Sequence, residues 1–234
     1  MKKSDEIYRC IGTGLGDIIG SVMLYLRWSI ERNEIIRVST WYPRGSKIKD
    51  YKGKINEVLP LIDSLGSIEL TDETPTSAHL PSEDIVHSFY RTHKKWNINN
   101  TSKIVAYQFD GKSHGEKNFS SFSDWDYITD FILSLDFIPV RLGSHLSIAE
   151  CASILSNSHA FVGVPSGMGV LNFAVGAPHF MIRNELGEDW LKSIKYGPFM
   201  IMKTKEDFKD LFTAYISQGY PYFKENCINS HLCQ

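Results

Sequence analysis

Cysteine is scarce in this chain: four in 234 residues, Cys10, Cys151, Cys227 and Cys233, with no Cys-x-x-Cys pair and no repeated spacing. That excludes the usual signature of a metal cluster or a disulfide framework, and the four read as reduced thiols of a cytoplasmic protein. Cys227, His231 and Cys233 fall in a short C-terminal stretch that reads as a disordered tail, so no metal is assigned there. No run reaches the roughly 18 apolar residues of a membrane span. The opening MKKSDEIYRC follows its lysines with acidic residues where a secretory signal has an apolar segment. An excess of one charge is also missing. Lys and Arg number 25 against 27 Asp and Glu, a net charge of −2, so no global field draws the chain to nucleic acid or to an anionic membrane. What is present, 42% hydrophobic and 22% charged residues, is ordinary for a globular protein long enough for one domain or two small ones.

Apolar periodicity alternates between strand and helix along most of the chain. Residues 7–11 read as a strand, and residues 17–31 as a helix with Ile18, Ile19, Val22, Met23, Leu26 and Ile30 on one stripe. A strand follows at 35–40, then a helix at 55–65 despite Pro60, and a short strand at 67–70. Between about 71 and 102 the composition turns polar, as a hinge or linker would. The alternation resumes with strands at 103–109, 137–143, 160–164 and 179–184. Helices at 126–135, 147–158, after Ser166 and at 205–218 lie among and after them. This order predicts parallel α/β units of the doubly wound kind. The aromatic stretches WYPR, HSFYRTHKKW and YPYF at 220–223 read as surface loops and packing residues, and His145 lies just past a strand end.

Two glycine-rich turns follow predicted strands. IGTGLGDIIG at 11–20 is not a dinucleotide fingerprint, because Asp17 and Ile19 stand where a glycine would be needed. Gly14 and Gly16 let a ligand approach backbone, and Asp17 sits at a helix start, where a carboxylate also suits the dipole as a simple cap. GVPSGMG at 163–169 surrounds Ser166 with glycines and leads into a helix. Ser166, Gly167, Met168 and Gly169 can offer backbone N–H groups and a helix N-terminus to a phosphate, beyond what an N-cap requires. In the loop DGKSHGEKNFS at 110–120, Ser113 and Lys117 supply a hydroxyl and a point charge suited to phosphate oxygens. The other reading of that loop is a solvated polar surface.

GLGDIIGSVMLYLR at 14–27, the strand, SHGEKNF and helix at 103–135, and RLGSHLSIAECASILSNSHAFVGVPSGMGVLNFAVGAP at 141–178 resemble, in this order, a known family. It is the glycosyltransferase family that includes the bacterial lipopolysaccharide heptosyltransferases, family nine, of the GT-B fold. The resemblance covers roughly half the chain. It implies a compact GT-B-like α/β fold of two Rossmann-like halves, the N-terminal one reduced. Residues 1–95 would be the acceptor side and 96–204 the donor-nucleotide side, with 205–234 a closing helix and tail. By resemblance, Asp17 is the general base on the acceptor hydroxyl, Lys117 and Ser113 bind the donor diphosphate, and the turn at Ser166, Gly167 and Met168 receives the donor. Many members have Asp and His where this chain has Pro165 and Val170, so heptose itself is not carried over.

The implied activity is transfer of a sugar from a nucleotide-diphosphate sugar to an acceptor hydroxyl, metal-independent and without a cofactor. The acceptor would be a glycan, a lipid-linked saccharide, a protein or a modified nucleic-acid base. Closure about the 71–102 hinge would keep water from the donor. Two alternatives stay open: a non-catalytic nucleotide-sugar or glycan-binding module of the same fold, and a nucleotide-sugar epimerase.

Overall fold

The computed structural model describes residues 1–9, 14–41, 49–62, 65–77, 101–109, 125–182 and 198–228. The chain divides into two units, Met1–Lys94 and Lys95–Gln234. Each carries its own parallel sheet.

In the first unit β1 (Lys2–Arg9), β2 (Glu34–Ser39) and β3 (Ile68–Thr71) pair in that order. They are joined through α1 (Leu15–Arg32) and α2 (Tyr51–Val58). Ile18, Ile19, Val22, Met23 and Leu26 of α1 are buried, as their spacing predicts, but Ile30 is 47% exposed. The reason lies one residue back. The Ser29 hydroxyl donates to the Glu34 carbonyl at 2.6 Å and accepts from the Ser67 N–H at 2.8 Å, tying α1 to the starts of β2 and β3. With Ser29 and Trp28 turned inward, the helical period carries Ile30 about 100° round toward solvent. The predicted helix at 55–65 begins earlier, at Tyr51, where the Asp50 side chain caps it by accepting from the Gly53 N–H at 2.7 Å. It gives way to one tight turn at Leu59–Leu61, because Pro60 has no N–H to donate to a helical ladder.

The second unit holds β4 (Ile104–Gln108), β5 (Ile138–Arg141), β6 (Ala160–Gly163), β7 (His179–Ile182) and β8 (Phe199–Met202). Their spatial order is β5-β4-β6-β7-β8. Its helices are α3 (Trp125–Ser134), α4 (Ile148–Ser156), α5 (Gly167–Val175), α6 (Lys205–Gln218) and α7 (Tyr220–Asn226). Side chains alternate along β4, so Val105 and Tyr107 face one way and Ala106 and Gln108 the other. On the Val105 face lies the main core: Ile128 and Ile132 of α3, Phe208 and Phe212 of α6 and Phe223 of α7 close over Val162, Phe180 and Met200. A smaller cluster, Phe173 of α5 with Met181 and Phe199, occupies the opposite face.

Two elements were not foreseen. FMIM forms β8, a four-residue apolar run too short for its period to be read. YPYF opens α7, where Pro221 stands in the first turn, a position in which its missing N–H costs nothing. The tail reading is corrected at Cys227. Cys227 is only 7% exposed, and Ile228 forms an antiparallel bridge with Phe199, its N–H donating to the Phe199 carbonyl at 2.9 Å. His231, Cys233 and Cys10 lie outside the described residues. No helix among the described residues is long and apolar enough to cross a membrane.

Candidate functional site

Relabelled by position in its own unit, the strand order of the second sheet is 2-1-3-4-5. Its topological switch point falls between β4 and β6, and ligands of such sheets bind beyond the strand C-termini there. Gln108 and Gly163, the last residues of those strands, are register partners. The chain leaves β6 through buried Val164 and Pro165, the Val164 N–H donating to the Gln108 carbonyl at 3.1 Å. Ser166 then caps α5. Its hydroxyl donates to the Gln108 side-chain oxygen at 2.5 Å, and receives the Gly169 N–H at a long 3.5 Å. Gln108 thus anchors the turn from across the switch point. Sequence reasoning missed this residue, whose one signal is a polar side chain at the end of the apolar run IVAY.

Gly167, Met168 and Gly169 form the first turn of α5, whose early N–H groups have no carbonyl partner within the helix. Helix dipole and N–H groups together favour an anion at this end. Close approach demands glycine at one position and favours it at a second. A Cβ on Gly163 would lie 2.7 Å from the Phe161 ring and 2.9 Å from the Gln108 carbonyl oxygen, and one on Gly169 would lie 3.1 Å from Cε1 of His179. His179 is fully buried among Phe161, Phe173 and Phe199. Among the described residues neither of its ring nitrogens has a hydrogen-bond partner, and burial pushes its pKa down to about 3. The imidazole under α5 is therefore neutral at physiological pH.

Asp17 belongs to the first unit. Gly14 is the extended residue before α1, and its N–H donates to the Asp17 carboxylate at 2.9 Å across the first turn that contains Gly16. The helix-cap role is thus realised, on a carboxylate that is also exposed to solvent. Ser113 and Lys117 lie outside the described residues. His145 is exposed, and the Glu150 carboxylate nearby is occupied in capping α4 through Ser147. The Cys151 thiol is buried and its pKa raised by that burial, which leaves it a packing residue.

No family model matches the sequence, and no curated protein matches it at a significant level. Solved structures do match. The iron-containing dodecameric glycosyltransferase TibC of enterotoxigenic E. coli H10407 aligns with 78% of this chain at 14% identity and a TM-score of 0.50. A structure of TibC, described as a heptosyltransferase, in complex with ADP-D-β-D-heptose aligns with 79% at 13% identity and 0.48. A glycosyltransferase of family nine from Veillonella parvula aligns with 93% of this chain and 90% of its own, at 9% identity and 0.41. This chain spans 59% and 60% of the two TibC chains. The fold is that of the first of these structures, an α/β chain of two Rossmann-like halves, as the sequence resemblance implied.

One expectation is corrected by the same comparison. The resemblance implies a metal-independent transfer without cofactor, whereas TibC is iron-containing. Asp17 and Lys117 account for proton removal and leaving-group charge without a metal, and a metal held elsewhere in a fold leaves no trace in those motifs. Among the described residues no three His, Cys, Asp or Glu side chains gather to hold a metal ion.

Proposed function

We propose that this chain transfers a sugar from a nucleotide-diphosphate sugar to an acceptor hydroxyl. The observation that supports it is the first turn of α5, set at the β4/β6 switch point and held by the Ser166–Gln108 hydrogen bond. The donor diphosphate would lie against the N–H groups of Gly167, Met168 and Gly169, with Ser113 and Lys117 on its oxygens. Asp17 would take the proton of the acceptor hydroxyl as that oxygen bonds to the anomeric carbon. The bond from that carbon to the diphosphate breaks, and the nucleoside diphosphate leaves with the electron pair, its growing charge stabilised by lysine and backbone. The acceptor is a glycan, a lipid-linked saccharide, a protein or a modified base, met in the cytoplasm. One observation favours the other reading, a nucleotide-sugar-binding module: Asp17 is already engaged as a cap.

A thermal-shift panel of ADP, UDP, GDP and CDP tests the donor site. A ligand at about 100 times its Kd adds ~2.7 kcal/mol to stability and raises the melting temperature visibly. At least one nucleotide should do so, and Lys117→Ala should reduce the shift. If none of the four moves the midpoint, the donor reading fails.

A further inference from the structure

We infer that His179 is a positioning residue of the donor turn: its imidazole supports the first turn of α5 from below and sets where the N–H groups of Gly167, Met168 and Gly169 stand. The inference rests on the donor reading of that turn and adds to it a fully buried residue, out of reach of the ligand. Phe161 of β6, His179 of β7 and Phe199 of β8 are successive register partners, so their side chains form one row across the sheet under α5. The imidazole is the middle ring of that row. Its centroid lies 4.8 Å from that of Phe161, 6.5 Å from that of Phe199, and 5.2 Å from that of Phe173 on α5. Gly169 sits on the edge of the ring. A Cβ there would lie 3.1 Å from Cε1 and 3.9 Å from each ring nitrogen, so helix and imidazole meet with no side chain between them.

The choice of residue is a second observation. Among the described residues neither ring nitrogen has a hydrogen-bond partner, and the three rings around the imidazole are apolar. Burying polar atoms unpaired is unfavourable, so stability alone asks for an apolar side chain at this position. What the apolar side chains lack is the shape. Phenylalanine is one ring atom larger and would press on Gly169 from below. Leucine ends one atom short of Cε1 and Nε2 and would leave a gap under the helix. Imidazole alone supplies a single five-membered aromatic ring, rigid and of the height that separates β7 from a helical turn without a Cβ. In a close-packed interior the turn follows its support, and the hydrogen bonds it offers weaken steeply when misaligned. His179 thus acts on the donor through α5 without touching it.

The test is calorimetry on the whole chain with whichever of ADP, UDP, GDP and CDP stabilises it, for the native protein, His179→Leu, Gly169→Ala and the double variant, with urea midpoints measured alongside. His179→Leu should keep or raise the midpoint, since two unpaired nitrogens are removed. It should nevertheless bind about tenfold more weakly, the effect of losing one hydrogen bond to a charged group. Gly169→Ala should weaken binding by a similar factor, because its methyl meets the ring. In the double variant that methyl takes the space leucine leaves, and affinity should return to within about threefold of native. Independent effects would instead multiply to a loss of about a hundredfold, and that result overturns the inference. So does a His179→Leu affinity within about twofold of native, or a loss of binding that follows a fallen midpoint. If no nucleotide binds the native chain, the donor reading fails and this inference with it. If one binds the native chain and His179→Leu alike, this inference fails alone.

Discussion

The Ser166 hydroxyl donates to the Gln108 side-chain oxygen at 2.5 Å, joining the start of α5 to the end of β4. Through this contact a strand on one side of the switch point sets the position of a helix on the other. Losing either partner should loosen the turn. Ser166→Ala also removes the N-cap, at a cost of about 0.5–2 kcal/mol in urea melts. Both Ser166→Ala and Gln108→Ala should weaken binding of the nucleotide that stabilises the native chain by about tenfold in calorimetry. Ser166→Thr should recover much of both. Native-like affinity in Ser166→Ala and Gln108→Ala would mean the turn is not the donor site.

Gly163→Ala should be destabilising whatever the function. Its methyl would press on the Phe161 ring and on the Gln108 carbonyl, the second being backbone that cannot swing aside. Overpacking of this kind costs about 1–3 kcal/mol. Denaturant melts of the variant read it directly, and an unchanged midpoint would contradict the packing described for β6.

His179 gives the stability a dependence on acid. Its folded pKa, about 3, lies below the ordinary value of 6.5, because charging it would bury a cation without a partner. Between these values the unfolded chain binds the extra proton, so stability rises with pH. The contribution is whole above pH 6.5 and is lost as pH falls toward 3, with a slope approaching about 1.4 kcal/mol per pH unit from this group alone. His179→Leu should flatten that part of the profile and leave the protein at least as stable at pH 5. An identical slope in the variant would show that other groups govern acid unfolding.

Much of the architecture was legible because it rests on period and punctuation. The glycine turns, the stripe of α1 and the α4–β6–α5 succession all declare themselves locally, and α6 occupies the predicted 205–218. What was not legible depends on distant partners. Ile30 fits the stripe by spacing, and only the Ser29 bridge to β2 and β3 turns it outward. Cys227 follows a helix hidden by a proline, and its burial needs Phe199 and β8 to be in place. Gln108 became a site residue only when β4 and β6 were found side by side. Asp17 shows the opposite case, a residue whose place is read from sequence while its role is not. Cap and general base call for the same carboxylate at the same helix start.

The sharpest measurement is therefore the rate of nucleotide release from a nucleotide-diphosphate sugar by the native chain and by Asp17→Asn. The asparagine oxygen can still accept the Gly14 N–H, so the melting temperature should hold while the base is lost. Turnover should fall by about 10²–10⁴-fold, the usual contribution of general-base catalysis. An Asp17→Asn variant as fast as the native chain, or a native chain that releases no nucleotide from any sugar donor, would contradict the account.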